Sequence, residues 1–296
     1  MRIPARLAVP SLALLALVAP AAAGGQTPPR PIAPIDQIYA RSLGLSAYRG
    51  LPAGNDGIFY NAAALAARKA FTVEGGWLGS RVGDGFEARY WGASVVDSST
   101  SSVAGGFAWS WIDALGYRTS GLNGGLTALA LAFPVAQGFY LGATLDYMRL
   151  TSAAEDVNAV NVSPAIFWQI ARLLSVGVAG YNLINTYHPT LSPRGMGVGV
   201  GIGDERLARV GADWYRSWGQ DSTRDVWSAG GEVFLFDVAV LRGGWEHDSQ
   251  LGTNAWSAGM GFFVAPIGAD VGYRQWFGST TYRVLAATLR FAVAGM

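Results

Sequence analysis

The feature that most constrains this chain is a series of fourteen segments in which apolar residues alternate with small or polar ones. Alternation with a period of two predicts β-strands with one apolar face. Each segment is about ten residues long, the length that a tilted strand needs to cross a bilayer. The segments span residues 69-80, 86-96, 102-112, 124-133, 138-149, 157-169, 172-183, 195-203, 206-217, 225-236, 238-247, 253-265, 267-277 and 281-293. They predict an all-β fold, a transmembrane antiparallel β-barrel of about 14 strands.

The composition agrees with a barrel and excludes other classes of protein. Half of the chain is hydrophobic (51%), only 14% is charged, and there are 40 glycines and 11 tryptophans. The longest apolar stretch, 126-136, is too short for a membrane-spanning helix of about 20 residues, so a helical membrane protein is excluded. A net charge of +1 gives no basic face for nucleic acid, so we expect outer-membrane lipid around the chain and no nucleic-acid partner.

The N-terminal region divides the chain into a leader, a spacer with a plug, and the barrel. Residues 1-23 have a basic start, an apolar stretch and a small-residue site, which predicts a signal peptide cleaved after about Ala23 and export to the outer membrane. Residues 24-67 begin with a proline-rich spacer and end in a predicted plug, and residues 68-296 form the barrel. The chain has no cysteine, so neither disulfides nor a lipid anchor on the mature chain is expected.

Charged residues in the segments fall on the face opposite the large apolar residues. A basic side chain in mid-bilayer lipid costs about 2–4 kcal/mol, so we expect these charges to face the barrel interior. They are Arg89, Arg209, Arg242, Arg274, Arg290, Asp146, Asp213, Asp270 and Glu246. Their mixed sign favours a neutralised interior that holds a plug over the single-sign ring of an open porin.

The connections between segments alternate in length, as they do in outer-membrane barrels. The longer ones are 113-123, 150-156, 184-194, 218-224 and 248-252, and the shorter ones include 134-137, 170-171, 204-205 and 237. A short outer turn at 83-85 and a serine-rich inner connection at 98-101 are the exceptions. An even number of strands places both chain ends in the periplasm.

Large aromatic residues lie near the segment ends and predict the girdles that barrels place at membrane interfaces. They are Tyr90, Trp91, Trp109, Trp111, Trp214, Trp218, Trp227, Trp245 and Trp276. The alternative is a soluble β-sandwich with these aromatics in its core, but a sandwich would not place so many apolar residues on its outward face.

One segment before the strands, 54-66, reads as a turn followed by a helix. Asn55 and Asp56 supply turn and cap chemistry, and 62-69 is a run of good helix formers. Its central motif is Ile58, Phe59, Tyr60, Asn61, Ala62, Ala63 and Leu65. A short helical plug in front of a barrel would have this sequence.

The same motif resembles the segment that opens the barrel in the FadL and PorV families of outer-membrane proteins. Their signature is close to Ala-Ile-Tyr-Tyr-Asn-Pro-Ala-Gly-Leu-Ala, and here Ala62 replaces the proline and Ala64 the glycine. Residues 41-48, Arg-Ser-Leu-Gly-Leu-Ser-Ala-Tyr, are similar to the family's lead-in. The specific resemblance covers about thirty residues, and it identifies the chain as a shortened FadL/PorV-like protein.

The resemblance implies two alternative functions. A FadL-like protein is a passive conduit that takes up apolar small molecules through a plugged barrel, and a strand break in that family opens the barrel toward the membrane. Gly105 and Gly106 are the candidates for such a kink or lateral opening here. A PorV-like protein is instead a non-enzymatic scaffold that binds envelope protein partners in secretion, surface attachment or gliding motility.

Sequence patterns typical of enzymes lack the necessary context. The glycines of 195-203 have nucleotide-like spacing but no strand-loop-helix around them, so we interpret them as a strand that leaves room for the plug. His247 lies in Glu-His-Asp-Ser, but adjacent residues on a strand point to opposite faces and cannot assemble a catalytic group. His188 is isolated. We therefore expect no enzyme activity, no catalytic residue, no cofactor and no metal.

Overall fold

The structure is a computed structural model. It describes residues 39–51, 54–82, 85–114, 121–152, 156–184, 192–204, 206–218, 223–236, 238–250, 252–277 and 282–294. The predicted signal peptide, most of the predicted spacer and His188 lie outside the described residues.

In the described part of the chain, three short helices precede the strands. They are α1 (Ala40–Leu45), α2 (Gly57–Tyr60) and a 3-10 helix (Ala62–Ala67). The predicted turn and helix are therefore present, but the helix is interrupted at Asn61, whose backbone is extended (φ −162°, ψ 90°). The sequence analysis missed α1, which has only six residues and no side-chain cap, so its stability depends on burial inside the barrel.

Fourteen strands follow, as predicted, and every strand pairs antiparallel with both of its neighbours to close a barrel. They are β1 (Ala70–Val82), β2 (Gly85–Asp97), β3 (Ala104–Ala114), β4 (Leu122–Ala136), β5 (Phe139–Thr151), β6 (Asp156–Ala171), β7 (Leu174–Tyr181), β8 (Arg194–Asp204), β9 (Ala208–Trp218), β10 (Thr223–Leu235), β11 (Ala239–Asp248), β12 (Thr253–Val264), β13 (Ile267–Trp276) and β14 (Tyr282–Ala294). Closure of β1 on β14 leaves no free sheet edge.

The two ends of the barrel differ in the length of their connections. We call the end where Ala70 pairs with Ala294 the terminal end, and the opposite end the loop end. Connections at the terminal end have two or three residues except for 98–103, whereas the loop end carries 182–193, the longest one. The predicted alternation of short and long connections is confirmed.

Side chains alternate across the wall as the period of two requires. On β9 and β13 the apolar Val210 and Val271 are 51% and 45% exposed, whereas Asp213 and Asp270 are 3% and 2% exposed. The outer surface of the barrel is therefore apolar, and the charges of these strands lie inside.

Three predictions about individual side chains are wrong. Arg89 lies between the buried Ala88 and Tyr90, so it faces outward near the loop end, in register with Asp113. Tyr90 and Trp276 were predicted in the outer girdles, but they are 4% and 7% exposed and point inward. Tyr90 and Trp276 were predicted in a girdle because they lie near strand ends. The alternation of side chains along each strand decides instead whether a residue faces lipid or the lumen.

The wall has one seam where the strand ladder is incomplete. β7 has only eight residues, and its pairing with β6 begins at Ala165 and Ala179. Toward the loop end from that pair, no described strand residue pairs with the β7 side of β6. Leu183 N, which follows β7, donates a hydrogen bond to Val162 O there at 3.0 Å. Irregular chain and side chains therefore close the seam near the loop end.

Glycines on β7 and β8 bring the wall into contact with the N-terminal segment inside the barrel. An added Cβ at Gly177 would overlap the carbonyl oxygen of Arg49, and one at Gly199 or Gly201 would overlap the backbone of Gly50. The interpretation of 195-203 as a strand that leaves room for the plug is confirmed, since only glycine permits this approach.

Replacement of Gly199 by valine should destabilise the folded barrel, because the new side chain meets backbone that cannot rotate away. Overpacking of this kind costs about 1–3 kcal/mol. Equilibrium unfolding in urea, with the protein in detergent micelles, measures the loss. Gly243→Val is the matched control, because Gly243 faces outward and its added Cβ meets only Ser257 O at 3.9 Å. Equal destabilisation by both variants would contradict the packing of the plug on β8.

Candidate functional site

The predicted plug motif lies in the barrel interior. Its residues Ile58, Phe59, Tyr60, Asn61, Ala62, Ala63 and Leu65 are each at most 6% exposed. The 3-10 helix packs against β3, β4, β5 and β6, whereas α1 packs against β10 to β14. We call the described residues of 39–67 the plug. The plug thus has an α1 half against β10 to β14 and an alanine-rich half, which contains the 3-10 helix, against β3 to β6.

Backbone groups of the motif are held by side chains of the wall and of the plug itself. Thr144 Oγ1 donates a hydrogen bond to Ile58 O at 2.6 Å. Asn61 Nδ2 donates to Arg49 O at 3.2 Å and to Ile166 O at 3.1 Å. The Asn61 amide therefore ties two turns of the plug to β6, which accounts for the extended backbone at this residue.

The α1 half of the plug is joined to the wall by buried ion pairs centred on Glu232 of β10. Arg41 of the plug pairs with Glu232 at 3.4 Å and with Asp56 at 3.0 Å. Arg209 and Arg242 pair with the same Glu232 carboxylate, Arg242 at 2.9 Å. The Glu232 side chain is fully buried, so removal of this carboxylate would leave three guanidinium groups without their shared counter-charge.

The ion pairs continue around the wall to the strand that closes the barrel. Arg242 also pairs with Asp270, which lies 3.8 Å from Arg290, and Arg290 pairs with Glu74 of β1. Each of these charges has an opposite charge beside it. This is the arrangement that buried ions require, because the cost of removing them from water must be offset locally.

Two wall charges bind the backbone of the plug. Asp213 Oδ2 accepts hydrogen bonds from the backbone N–H groups of Tyr48 and Arg49 at 2.8 and 2.9 Å. Arg274 Nη2 donates to Leu43 O at 3.2 Å. Carboxylate and guanidinium therefore satisfy polar backbone groups that lie away from water.

Of the nine charges predicted to face inward, the structure places all but Arg89 inside the barrel. They are Asp146, Arg209, Asp213, Arg242, Glu246, Asp270, Arg274 and Arg290. The sequence analysis did not single out their partners Arg41, Glu74 and Glu232. The alternation of residues on β1 and β10 indicates that both carboxylates face inward. No pattern in the neighbouring sequence indicates that Arg41 belongs to a plug and pairs with Glu232.

Above the plug, large apolar side chains point inward in the loop-end half of β1 to β6. Those that are at most 2% exposed pack together: Leu78, Ile112, Leu126, Met148, Leu150 and Val157. We call this set the apolar surface. The opposite sector, β9 to β13, instead presents charged groups such as Glu246 and Arg274, which pair at 2.8 Å.

Below the plug, a cavity of about 390 Å³ opens at the terminal end. Leu65, Phe234 and Phe263 line it together with basic side chains, among them Arg68. A second cavity of about 360 Å³ at the same end shares Arg68 and Arg209 with the first. These volumes are in the range of small-molecule sites.

Gly105 and Gly106 lie at the start of β3, beside the plug. The ladders to β2 and β4 run through both glycines without a register shift, so the predicted bulge is absent. An added Cβ at Gly106 would come within 2.9 Å of Ile58 Cγ1, so close contact with the plug accounts for this glycine. A lateral opening at this position stays a prediction.

The tetrapeptide around His247 does not bring its polar groups together. His247 Nδ1 lies 3.0 Å from Asn254 Oδ1, and its ring stacks on Trp245. Asp248 pairs with Arg224 at 2.7 Å. Among the described residues, no group of three or more His, Cys, Asp or Glu side chains could hold a metal ion.

A closed fourteen-strand wall with an apolar exterior and a lumen filled by the chain's own N-terminal segment defines a plugged β-barrel. No described helix is long and apolar enough to cross a membrane. No protein-family model matches the sequence, and no curated protein matches it.

Solved structures share this fold. The monoaromatic hydrocarbon channel CymD superimposes with a TM-score of 0.66 and 12% identity over 88% of this chain and 98% of that one. The toluene transporter TbuX of Ralstonia pickettii gives 0.66 and 11% over 89% and 100%, and a Pseudomonas aeruginosa FadL homologue gives 0.64 and 11% over 88% and 98%. The chain therefore has the fold of the FadL-type barrels, and the predicted resemblance is confirmed for the fold.

Replacement of Glu232 by glutamine should destabilise the folded protein strongly, because three buried arginines lose one shared negative charge. Loss of one partner from a buried pair costs about 3–5 kcal/mol. Urea unfolding followed by tryptophan fluorescence measures the change. Arg172→Gln is the control, since the Arg172 side chain is 81% exposed in its pair with Asp204 and such pairs contribute about 0–1 kcal/mol. A similar loss of unfolding free energy in both variants would contradict the conclusion that ion pairs with Glu232 hold the plug.

Proposed function

We propose that this protein is an outer-membrane conduit that takes up apolar small molecules passively through its plugged barrel. The apolar exterior of the strands suits a lipid environment, with the terminal end and both chain ends in the periplasm. No bond-making chemistry is assigned, and the protein is not an enzyme under this proposal. It adds a route for molecules that cross the outer leaflet slowly.

The apolar surface is the observation that carries this proposal. A water-filled channel has a polar interior, whereas the inward side chains in the loop-end half of this lumen include Leu126, Met148 and Leu150, which pack together. Such a surface binds molecules that lose little by leaving water, since burial of apolar area stabilises a complex by about 25 cal/mol per Å². The printed names of CymD and TbuX, a monoaromatic hydrocarbon channel and a toluene transporter, suggest aromatic hydrocarbons as first ligands to test.

The plug separates the apolar surface from the cavities at the terminal end, so passage requires part of the plug to move. Its two halves differ in how firmly they are held. The α1 half carries Arg41 and its ion pairs, whereas the 3-10 helix presents mainly alanines to small wall residues such as Ala130 and Gly142. The alanine-rich half also lies in the β3 to β6 sector, directly below the apolar surface. We infer that this half moves.

Two engineered disulfides test which half of the plug must move, in a chain that has no cysteine of its own. Ile58→Cys with Gly106→Cys would lock the alanine-rich half, because a Cβ at 106 lies 2.9 Å from Ile58 Cγ1. Ser46→Cys with Ser257→Cys would lock the α1 half, where the two hydroxyl oxygens are 2.8 Å apart. In both pairs the atoms at or next to the introduced sulfur positions are within 3 Å of each other, and a disulfide requires such proximity.

Toluene uptake by cells with an intact outer membrane should fall to the level of cells without the protein when the first pair is oxidised, and a reductant should restore it. The second pair should leave uptake unchanged when oxidised. Loss of uptake with the α1 lock alone would assign the movement to the opposite half, and full uptake with both locks would contradict plug movement.

Native mass spectrometry with lipid extraction, on protein purified gently from its own membrane, separates the conduit from the PorV-like scaffold. A co-purifying apolar small molecule supports the conduit. An empty barrel that arrives with envelope proteins bound to it, together with unaltered toluene uptake in its absence, would favour the scaffold.

A further inference from the structure

The larger cavity at the terminal end, about 390 Å³, is not confined to the lumen. It is lined by Phe263, an inward residue of β12, and also by Ala265, Pro266 and Ile267. Ile267 is on the outward face of β13, since it is 62% exposed and the next residue, Gly268, is buried. Because the connection between β12 and β13 has only two residues, the cavity extends over this turn to the outer surface of the wall.

The lumen side of this cavity is basic. Among the described residues, two carboxylates line it, Glu74 and Glu232, together with six cations: Arg41, Arg68, Lys69, Arg209, Arg242 and Arg290. Asp56 and Asp270 pair with arginines of this set from outside the lining, and the cations of the described chain still outnumber the carboxylates. An excess of positive charge in a cleft attracts an anionic ligand.

Lys69 is the only lysine in the chain, and it lies at the open side of this cavity, just before β1. The residue is exposed, and its Nζ donates a hydrogen bond to Ser101 O at 3.0 Å. An ammonium group has three donors, so two remain for a ligand. No carboxylate of the described residues pairs with this ammonium group.

Deeper in the cavity, a second cation lies beside an aromatic ring. The Arg290 side chain is 15% exposed and pairs with Glu74, and its guanidinium carbon is 5.4 Å from the centroid of the Phe263 ring. The cavity therefore places positive charge and apolar surface next to each other. A ligand that joins an anionic group to an apolar body matches this arrangement.

The outer side of the turn shows where the apolar body of such a ligand would lie. Val264, Ile267 and Leu289 are 72%, 62% and 68% exposed, and they continue the apolar exterior of the wall to its terminal end. A lipid in the adjoining leaflet can keep its acyl chains on this face while its phosphate enters over the turn. A free anion would leave the apolar turn without a function, and a hydrocarbon would leave the cations without one.

We propose that this cavity binds the headgroup of one anionic phospholipid from the periplasmic leaflet of the outer membrane. The phosphate lies against Lys69 and Arg290, and the acyl chains pass over Pro266 and Ile267 to the outer wall. This inference takes the orientation of the barrel from the proposed function, and it does not depend on transport.

The single lysine makes the site directly observable. Reductive methylation with ¹³C-formaldehyde labels Lys69 and retains its positive charge. The α-amino group gives a second resonance, which is recognised because it titrates near neutral pH. The full-length protein is placed in nanodiscs of phosphatidylcholine that contain increasing fractions of phosphatidylglycerol with the same acyl chains. We expect the Lys69 resonance to shift saturably with phosphatidylglycerol. Native mass spectrometry should show one phosphatidylglycerol retained at least about tenfold more readily than phosphatidylcholine.

Two variants assign the preference to the cavity. Lys69→Gln should reduce the retention of phosphatidylglycerol about fivefold, the effect of one basic residue at a membrane surface. Ala292→Trp places an indole in the cavity, which Ala292 lines, and should abolish both the shift and the retention. Arg283→Gln is the matched control: it removes one exposed cation from β14 at the loop end and should leave the preference intact.

The outcomes separate this inference from the conduit function. Equal retention of the two lipids, or a preference that survives both cavity variants, would overturn the lipid site and leave toluene uptake as proposed. A shift of the Lys69 resonance by inorganic phosphate in pure phosphatidylcholine nanodiscs would assign the cavity to free phosphate and overturn the lipid site as well. Absence of toluene uptake with the phosphatidylglycerol preference intact would overturn the conduit alone.

Discussion

Charge pairing inside the barrel is the interaction on which the rest of the structure depends. Lipid excludes charged side chains from the outer face of the strands, so the ions of β9 to β14 must find partners within the lumen. The wall does not neutralise itself at every point: Asp213 pairs with Arg49 of the plug, and Glu232 pairs with Arg41 of the plug as well as with two arginines of the wall. The plug is therefore part of the electrostatic structure of the wall, and a barrel without it would hold buried carboxylates with fewer counter-charges.

This requirement divides the lumen into two sectors with different roles. The sector from β9 to β14 carries most of the inward charges and holds the plug through ion pairs and backbone hydrogen bonds. The sector from β1 to β6 has small residues beside the plug and large apolar ones above it. Ion pairs hold a geometry tightly because separation leaves a buried charge, whereas alanine against glycine or alanine can slide at little cost. Under the proposed function, the α1 half of the plug is therefore the anchor and the alanine-rich half is the part that moves.

A part of the fold can be predicted from the sequence when the residues that determine it are close together in the chain. The strands, their inward charges and the glycine contact with the plug follow from a period of two, and the structure has them where the sequence indicates. Arg89 shows the limit of the rule that charges face inward, because near the loop end the register of the strand outweighs it. Helix α1 and the break at Asn61 were not predictable, since both are set by burial and by contacts to β6 and β10–β14.

The candidate site was less predictable than the wall, because its residues come together from distant parts of the chain. Glu232 has an inward position that alternation could have identified, but its pairing with Arg41 crosses 191 positions of sequence. The seam beside β7 is a stronger case: Asn182 and Ser192 are loop residues with no sequence signal, and the short β7 brings them against Ser163 and Asn161 of β6. The departure from regular pairing at this seam follows from contacts of Asn182, Leu183 and Ser192 with β6, and no local pattern in the sequence indicates them.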